Sequence, residues 1–195
     1  MNAAIQNRTN SNVNSLNDGL PQRQVAETTY HAQPYNLDAC GFYFTSLEDY
    51  TAKAEANVDR WGAPVEEYEL QLVDGTDAEA CLFSTLRISQ ANLDTWFDVV
   101  DLDEREQAAL AYLVGDLGYS LADALDKIDD VMLQEGSIED VGADMFDELY
   151  LHEVPEHLHA YLDRAAWVRD YRLNGDLCET EFAGQTFTVT NANAL

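Results

Sequence analysis

The chain has 195 residues, with 37 acidic side chains against 10 basic ones and a formal net charge of −27 near pH 7. So strong an acid excess excludes binding of DNA or anionic lipid through a general electrostatic field. Hydrophobic residues make up 46% of the chain, including ten Tyr, seven Phe and three Trp, which is enough to build a core and excludes wholesale disorder.

Residues 1–34 are rich in Asn, Gln, Ser and Thr and read as a flexible polar tail with little apolar surface to bury. They hold two acids and two bases, so the entire excess of 27 acids falls on residues 35–195. The charge belongs to the folded part and not to an acidic tail. Residues 35–88 predict an N-terminal α+β domain. A buried strand is expected at Ala39–Phe44, then a helix opened by Ser46 with Asp49 three residues on, running to about Trp61 before Gly62-Ala63-Pro64. Glu67–Leu72 alternates with period two as a strand ended by Asp74-Gly75, and the apolar run Ala80–Phe83 is expected to pair with it.

From 89 to 135 the period turns helical and predicts a central bundle. Leu93, Trp96, Phe97 and Val100 fall at i, i+3, i+4 and i+7. Ala108–Val114 continues as a helix ended by Gly115 and Gly118, and Ser120 with Asp123 caps another with the stripe Leu121, Leu125, Ile128 and Met132. Residues 136–195 predict a C-terminal α+β domain. Helices are expected over Ser137–Leu149, from Pro155 through Tyr161 and over Asp163–Leu173. A turn at Asn174-Gly175-Asp176 then leads to a hairpin of Leu177–Phe182 and Thr186–Val189. The fold class is therefore α+β.

No apolar run approaches the ~20 residues of a membrane span, and the N-terminus shows no basic-then-apolar leader, so a cytoplasmic location is expected. Cys40, Cys81 and Cys178 are widely spaced, fit no CxxC pattern and are expected as small buried hydrophobes. Neither a metal nor a cofactor is expected. His152-Glu153-Val154-Pro155-Glu156-His157 has one residue too many for HExxH, with Pro155 interrupting the helix that would align the two imidazoles. Asp101-Leu102-Asp103 opens like an EF-hand loop, but Glu106 stands where Gly is required and Tyr112 where Glu is required. No GxSxG, Walker A or GxGxxG pattern occurs, and no catalytic residue is predicted.

The acids carry the functional signal. Asp94, Asp98 and Asp101 recur at i, i+4 and i+7, away from the apolar stripe. Asp123, Asp126 and Asp130 recur at i, i+3 and i+7, and Asp140, Asp144 and Asp147 at i, i+4 and i+7. Each like-charge pair at i, i+4 costs a helix about 0.2–0.5 kcal/mol, which interleaved Lys or Arg ordinarily relieves. Residues 88–163 nevertheless hold twenty acids with only Arg105 and Lys127 as bases. Helix positions three or four apart repeat about every 5–6 Å along the axis. One DNA strand places a phosphate about every 3.4 Å. Adjacent acidic helices can therefore approach a duplex in charge density and occupy the basic groove of a DNA-binding protein. Asp103, Glu104, Glu106 and Asp116 lie close in sequence and join the candidate surface.

Several spaced segments carry a family resemblance. They are Glu153-Val154-Pro155-Glu156-His157-Leu158, Ala160-Tyr161-Leu162-Asp163, Val168-Arg169-Asp170 and Leu173-Asn174-Gly175-Asp176. Gly41-Phe42-Tyr43-Phe44, Glu66-Glu67-Tyr68-Glu69 and Ala124-Leu125-Asp126-Lys127-Ile128-Asp129-Asp130 precede them. Together they resemble the ArdA-type antirestriction proteins over roughly residues 39–190. Arg164 stands where that family usually has an aromatic, Tyr171 replaces an aliphatic, and residues 1–34 look like an addition to the family core. The resemblance implies an elongated chain of three small domains: a small β-sheet plus helix, a helical bundle, and a mixed α/β domain with a C-terminal hairpin. It further implies a homodimer that imitates bent B-form DNA, fills the DNA groove of type I restriction-modification enzymes and shields incoming plasmid or transposon DNA, with no catalysis and no cofactor. Its dimer contact would lie near Tyr161, Leu162 and Trp167.

Two other readings are open on the residues alone. A salt-adapted acidic structural or adaptor protein would spread its acids over all faces. A carboxylate hydrolase would gather two close acids in a concave pocket.

Overall fold

The computed structural model describes residues 28–195. Its first sheet has the antiparallel order β2-β1-β3, formed by β1 (Thr29–Pro34), β2 (Phe42–Phe44) and β3 (Tyr68–Asp74). In β1, Tyr30, Ala32 and Pro34 are buried in period-two alternation, with Tyr30 opposite both Phe44 and Leu72 and Ala32 opposite both Phe42 and Leu70. This central strand corrects the expectation of a tail reaching residue 34. Tyr30 is the sole large apolar side chain in its hexapeptide, so composition hides a strand that cross-strand partners define. The rest of that expected tail, residues 1–27, lies outside the described residues. The strand expected from Ala39 begins only at Phe42, because Asn57 Nδ2 donates to the Cys40 carbonyl (3.0 Å) and holds that stretch as a loop.

Helix α1 (Leu47–Ala56) starts as predicted, with Ser46 Oγ accepting from the Asp49 amide at 3.1 Å. It stops at Ala56, five residues short of Trp61. Asn57 Nδ2 donates to the Cys40 carbonyl and the Tyr68 hydroxyl (3.1 Å), and Asp59 then gathers the amides of Trp61 and Ala63, both at 2.9 Å. Such local side-chain bonds compete with helix continuation. Ala80–Phe83, expected as a strand, lies within α2 (Asp77–Thr85). A reciprocal capping box between Thr76 and Glu79 starts that helix, and Leu82 faces the core.

The central helices are α3 (Leu93–Val99), α4 (Glu104–Ala111) and α5 (Leu121–Lys127), with a π-helical turn over Tyr112–Asp116 between the last two. Leu93, Trp96 and Val99 are buried, and Phe97 and Val100 are half-buried beside them. Met132, the last member of the predicted stripe on α5, is exposed because the chain leaves the helix and enters a strand the sequence did not predict, β4 (Leu133–Glu135). That strand joins β5 (Cys178–Phe182) and β6 (Gln185–Val189) in the antiparallel order β4-β6-β5. The hairpin turn places Ala183 (φ 50°) and Gly184 (φ 80°) in the left-handed region, which matches the twist of the flanking strands.

Helices α6 (Ile138–Tyr150) and α7 (Arg164–Asn174) pack against each other, and Gly175 ends α7 with φ +81°. A Cβ on Gly142 would lie 2.8 and 2.9 Å from the Val168 methyls, so this glycine permits the close approach of α6 to α7. Pro155 precedes a 3₁₀ segment, Glu156–Tyr161, rather than an α-helix.

One buried cluster contains residues from all three predicted segments, from Tyr30 and Phe44 through Trp96 and Tyr112 to Phe182 and Val189. Trp96 is fully buried, and its Nε1 donates to the Tyr30 hydroxyl at 2.9 Å. Burial pushes the Tyr30 phenol up to about 12, with the Trp96 bond acting the other way. Ile138, Val168 and Leu177 form a smaller satellite core under α6 and α7. Cys81 and Cys178 are half-buried but Cys40 is exposed on its loop, which corrects the expectation of three buried thiols.

Candidate partner-binding surface

Helix α3 turns Leu93, Trp96 and Val99 inward and leaves Asp94 and Asp98 exposed. The third member of that row, Asp101, lies beyond the helix end in the exposed turn toward α4. Asp103 and Glu106 cap α4 reciprocally: the Glu106 amide donates to Asp103 Oδ1 at 2.9 Å and the Asp103 amide to Glu106 Oε2 at 3.0 Å. Both carboxylates thus sit at a positive helix terminus, which offsets part of their mutual repulsion. Glu104 accepts from Gln185 Nε2 at 2.9 Å. On α5, Asp123 accepts the Ser120 hydroxyl at 2.6 Å, Asp126 is exposed, and Asp130 is exposed on the 3₁₀ turn that follows.

The two bases of this stretch do not neutralise these acids. The Arg105 guanidinium donates to the Leu133 carbonyl, and Lys127 Nζ lies 5.4 Å above the Tyr119 ring centroid. Among the described residues, no carboxylate between 89 and 135 takes part in an ion pair.

The third predicted row differs. Asp140 accepts the Ser137 hydroxyl (2.8 Å) and Asp144 is exposed, but Asp147 is half-buried and bonded to the Arg164 guanidinium. That bond raises the arginine above its ordinary range. Arg172 reaches Glu139 at 3.6 Å and Arg169 reaches Asp170 at 3.8 Å. Arg164 therefore neutralises one of the candidate acids.

Other acids missing from the predicted set join it in space. Glu135 shares a groove of about 470 Å³ with Glu104 and Arg105. Glu179 and Glu181 share another, of about 440 Å³, with Asp116, which accepts the Thr180 hydroxyl at 2.9 Å. The signal for the last two was their period-two alternation along β5, which a search restricted to helical spacing passes over. Near the expected dimer contact, Tyr161 is 83% exposed and Leu162 is half-buried. Trp167 is half-buried and stacks on Tyr171 with ring centroids 3.9 Å apart, edge-on to Phe146 at 5.6 Å. His159 Nε2 lies 2.8 Å from the Val154 carbonyl, while His152 and His157 are exposed. Among the described residues no group of three or more His, Cys, Asp or Glu is arranged to hold a metal ion, and no helix is long and apolar enough to cross a membrane.

Fold and surface together define an acidic α+β protein whose central helices display carboxylates without counter-cations. The chain belongs to the antirestriction protein family ArdA, which matches it over residues 11–183. It is thus an antirestriction protein by family. No curated protein matches the chain. The family match begins within residues 1–34, which corrects the expectation that this segment is wholly an addition to the family core, and it ends at Ala183, before β6.

Proposed function

We propose that the protein acts as a DNA mimic, presenting rows of carboxylates to the DNA-binding groove of a type I restriction-modification enzyme and thereby protecting incoming mobile DNA. One observation carries the reading. Twelve acids lie between residues 89 and 135, and the two bases among them bond a backbone carbonyl and an aromatic ring instead. A surface under no functional demand relieves such repulsion cheaply, since one lysine at i+4 converts a cost of about 0.2–0.5 kcal/mol into a gain of similar size. Left uncompensated, the carboxylates can displace the anions condensed in a basic groove, the same entropic source that drives DNA into it.

The surface has Asp94 and Asp98 along α3, Asp101 and Asp103 in the turn into α4, Asp126 and Asp130 on and after α5, and Asp116 beside Glu179 and Glu181. Asp123, Asp140 and Asp144 contribute charge from capped helix starts and from α6. The reading includes a cytoplasmic homodimer, and the 83% exposure of Tyr161 supports a contact around Tyr161, Leu162 and Trp167. The protein needs no cofactor and performs no catalysis in this role.

The test is a plating assay with unmodified phage on cells carrying a type I system. Expression of the parent restores plating, whereas Asp94→Lys/Asp98→Lys/Asp101→Lys, all at exposed positions, folds and restores it poorly. Full protection by that triple variant would remove the row from the binding surface.

A further inference from the structure

The three most exposed large apolar side chains of residues 35–88 fall on two neighbouring loops. Leu37 is 96% exposed, Trp61 69% and Tyr35 65%, and they sit on two loops tied to each other. Asn36 Nδ2 donates to Asp59 at 3.4 Å, the Arg60 amide to the Asp38 carbonyl at 3.0 Å, and the Arg60 guanidinium to the Asp38 carboxylate at 2.7 Å. Within the second loop, the Asp59 carboxylate accepts the Trp61 and Ala63 amides, and the amides of Asp59 and Gly62 bond the carbonyls of Ala63 and Asp59. The Arg60 guanidinium covers one face of the Trp61 indole at 4.1 Å from its centroid. An exposed indole on a loop fixed by this many bonds has little ordering entropy left to lose on association, which suits a binding anchor. Contiguous exposed apolar surface with a polar rim marks interaction sites.

The electrostatic rim says what kind of partner fits. Asp38 and Asp59 lie in the two loops, Glu66 and Glu67 line a groove with Tyr35, and Arg60 is already engaged by Asp38 and the indole. We propose that the Leu37–Trp61 patch is an apolar anchor that docks into a nonpolar socket on a basic protein face, namely that of the restriction-modification enzyme itself. The inference rests on the DNA-mimic reading and adds to it a salt-insensitive contact that no phosphate row can supply. Burial of apolar surface does not depend on ionic strength as charge pairing does.

The test titrates the full-length chain against a purified type I restriction-modification enzyme at low and moderate salt. Trp61→Ala and Leu37→Ser each raise the inhibitory concentration roughly tenfold to thirtyfold while the salt dependence keeps its slope, as expected of a truncated aromatic or aliphatic anchor. Trp61→Phe stays within about threefold of the parent. Asp59→Ala keeps the indole but frees its loop and costs less than Trp61→Ala. Val73→Thr, at an exposed apolar position outside the patch, changes nothing. All of these side chains but Asp59 are exposed, so thermal unfolding of their variants matches the parent. A parent that fails to inhibit overturns the DNA-mimic reading and this inference with it. Undiminished inhibition by Trp61→Ala beside an active parent overturns the anchor alone. So does a loss that tracks a change in sedimentation, which would assign the patch to contact between copies of this chain.

Discussion

Residues 89–135 and residues 136–195 carry twelve acids each but differ in whether their bases reach them. In the C-terminal stretch the three arginines of α7 reach carboxylates, with Arg164 on Asp147, Arg169 on Asp170 and Arg172 on Glu139. In the central stretch Arg105 and Lys127 are turned to a carbonyl and a ring. Similar acid content therefore leaves three carboxylates paired with arginine in the C-terminal stretch and none paired in the central one. Position of the bases, and not the number of acids, separates the two. It follows that the α3–α5 acids are the stronger candidates for the partner surface and that the α6 row, with Asp147 neutralised, is the weaker.

The largest expected effect probes how the charged central helices are held. Trp96 is fully buried and hydrogen-bonded to Tyr30, so Trp96→Ala should cost about 3–5 kcal/mol in chemical denaturation. Trp167 is half-buried, so Trp167→Ala should cost roughly 1–2 kcal/mol from its smaller buried area. Equal losses would show that the central helices are not anchored through the main core as described.

Screening comes next. Raising ionic strength from about 0.01 M to about 0.15 M shortens the Debye length from about 30 Å to about 8 Å and weakens the unpaired repulsions. Stability should rise by about 1 kcal/mol, the sum of a few like-charge helix pairs. A fall in stability with salt would mean that attractive pairs dominate the surface. Of similar size is the effect of Gly142→Ala. The added methyl must displace Val168, whose branched side chain cannot swing away, and the strain should exceed the gain in helix propensity by about 1 kcal/mol.

Smaller still, Arg164→Gln should cost less than about 1 kcal/mol, because the pair with Asp147 is partly solvated. It also frees Asp147, and improved inhibition by this variant would promote the α6 row to an equal part of the binding surface. The smallest effect lies outside both stretches. Burial raises the Glu79 carboxyl, but hydrogen bonds from Thr28 and Thr76 outweigh it and leave the group below its ordinary value. A depressed carboxylate contributes stability above its unfolded pKa and loses that contribution as pH falls through its folded one. Glu79→Gln should therefore flatten the acid limb of the stability profile below about pH 4.5 and leave the shape near neutrality unchanged.

Local codes made much of this fold legible. Ser46, Ser120 and Ser137 cap the helices that their spacing announces, the Leu93–Trp96 stripe is buried, and Gly175 and Ala183-Gly184 turn where glycine allows. What escaped depends on distant partners. Strand β1 looks like tail until Phe44 and Leu72 lie beside Tyr30, and β4, only three residues long, is defined by its pairing with β6, Leu133 opposite Val189. Ala80–Phe83 reads as a strand although Thr76 and Glu79 carry a capping box, because a four-residue apolar run fits strand and helix alike. Periodicity pairs Asp94 with Asp98 on α3 and Asp123 with Asp126 on α5, but Asp101 and Asp130 fall beyond the ends of those helices. Which acids remain unpaired was not legible, since it depends on where five-atom arginine arms land across element boundaries. Nor could spacing place Trp61, whose exposure follows from the Asp59 bonds that fix its loop.

The most direct measurement is the affinity of a purified type I restriction-modification enzyme for the parent and for two triple lysine variants, at Asp94, Asp98 and Asp101 and at Asp140, Asp144 and Asp147, across a salt series. For the parent, log affinity should fall steeply and linearly with log salt, and the first variant should lose the larger share of affinity with a slope shallower by about three. A parent whose binding ignores salt, or a first variant that binds as tightly as the parent, would contradict the claim that unpaired central carboxylates stand in for phosphates.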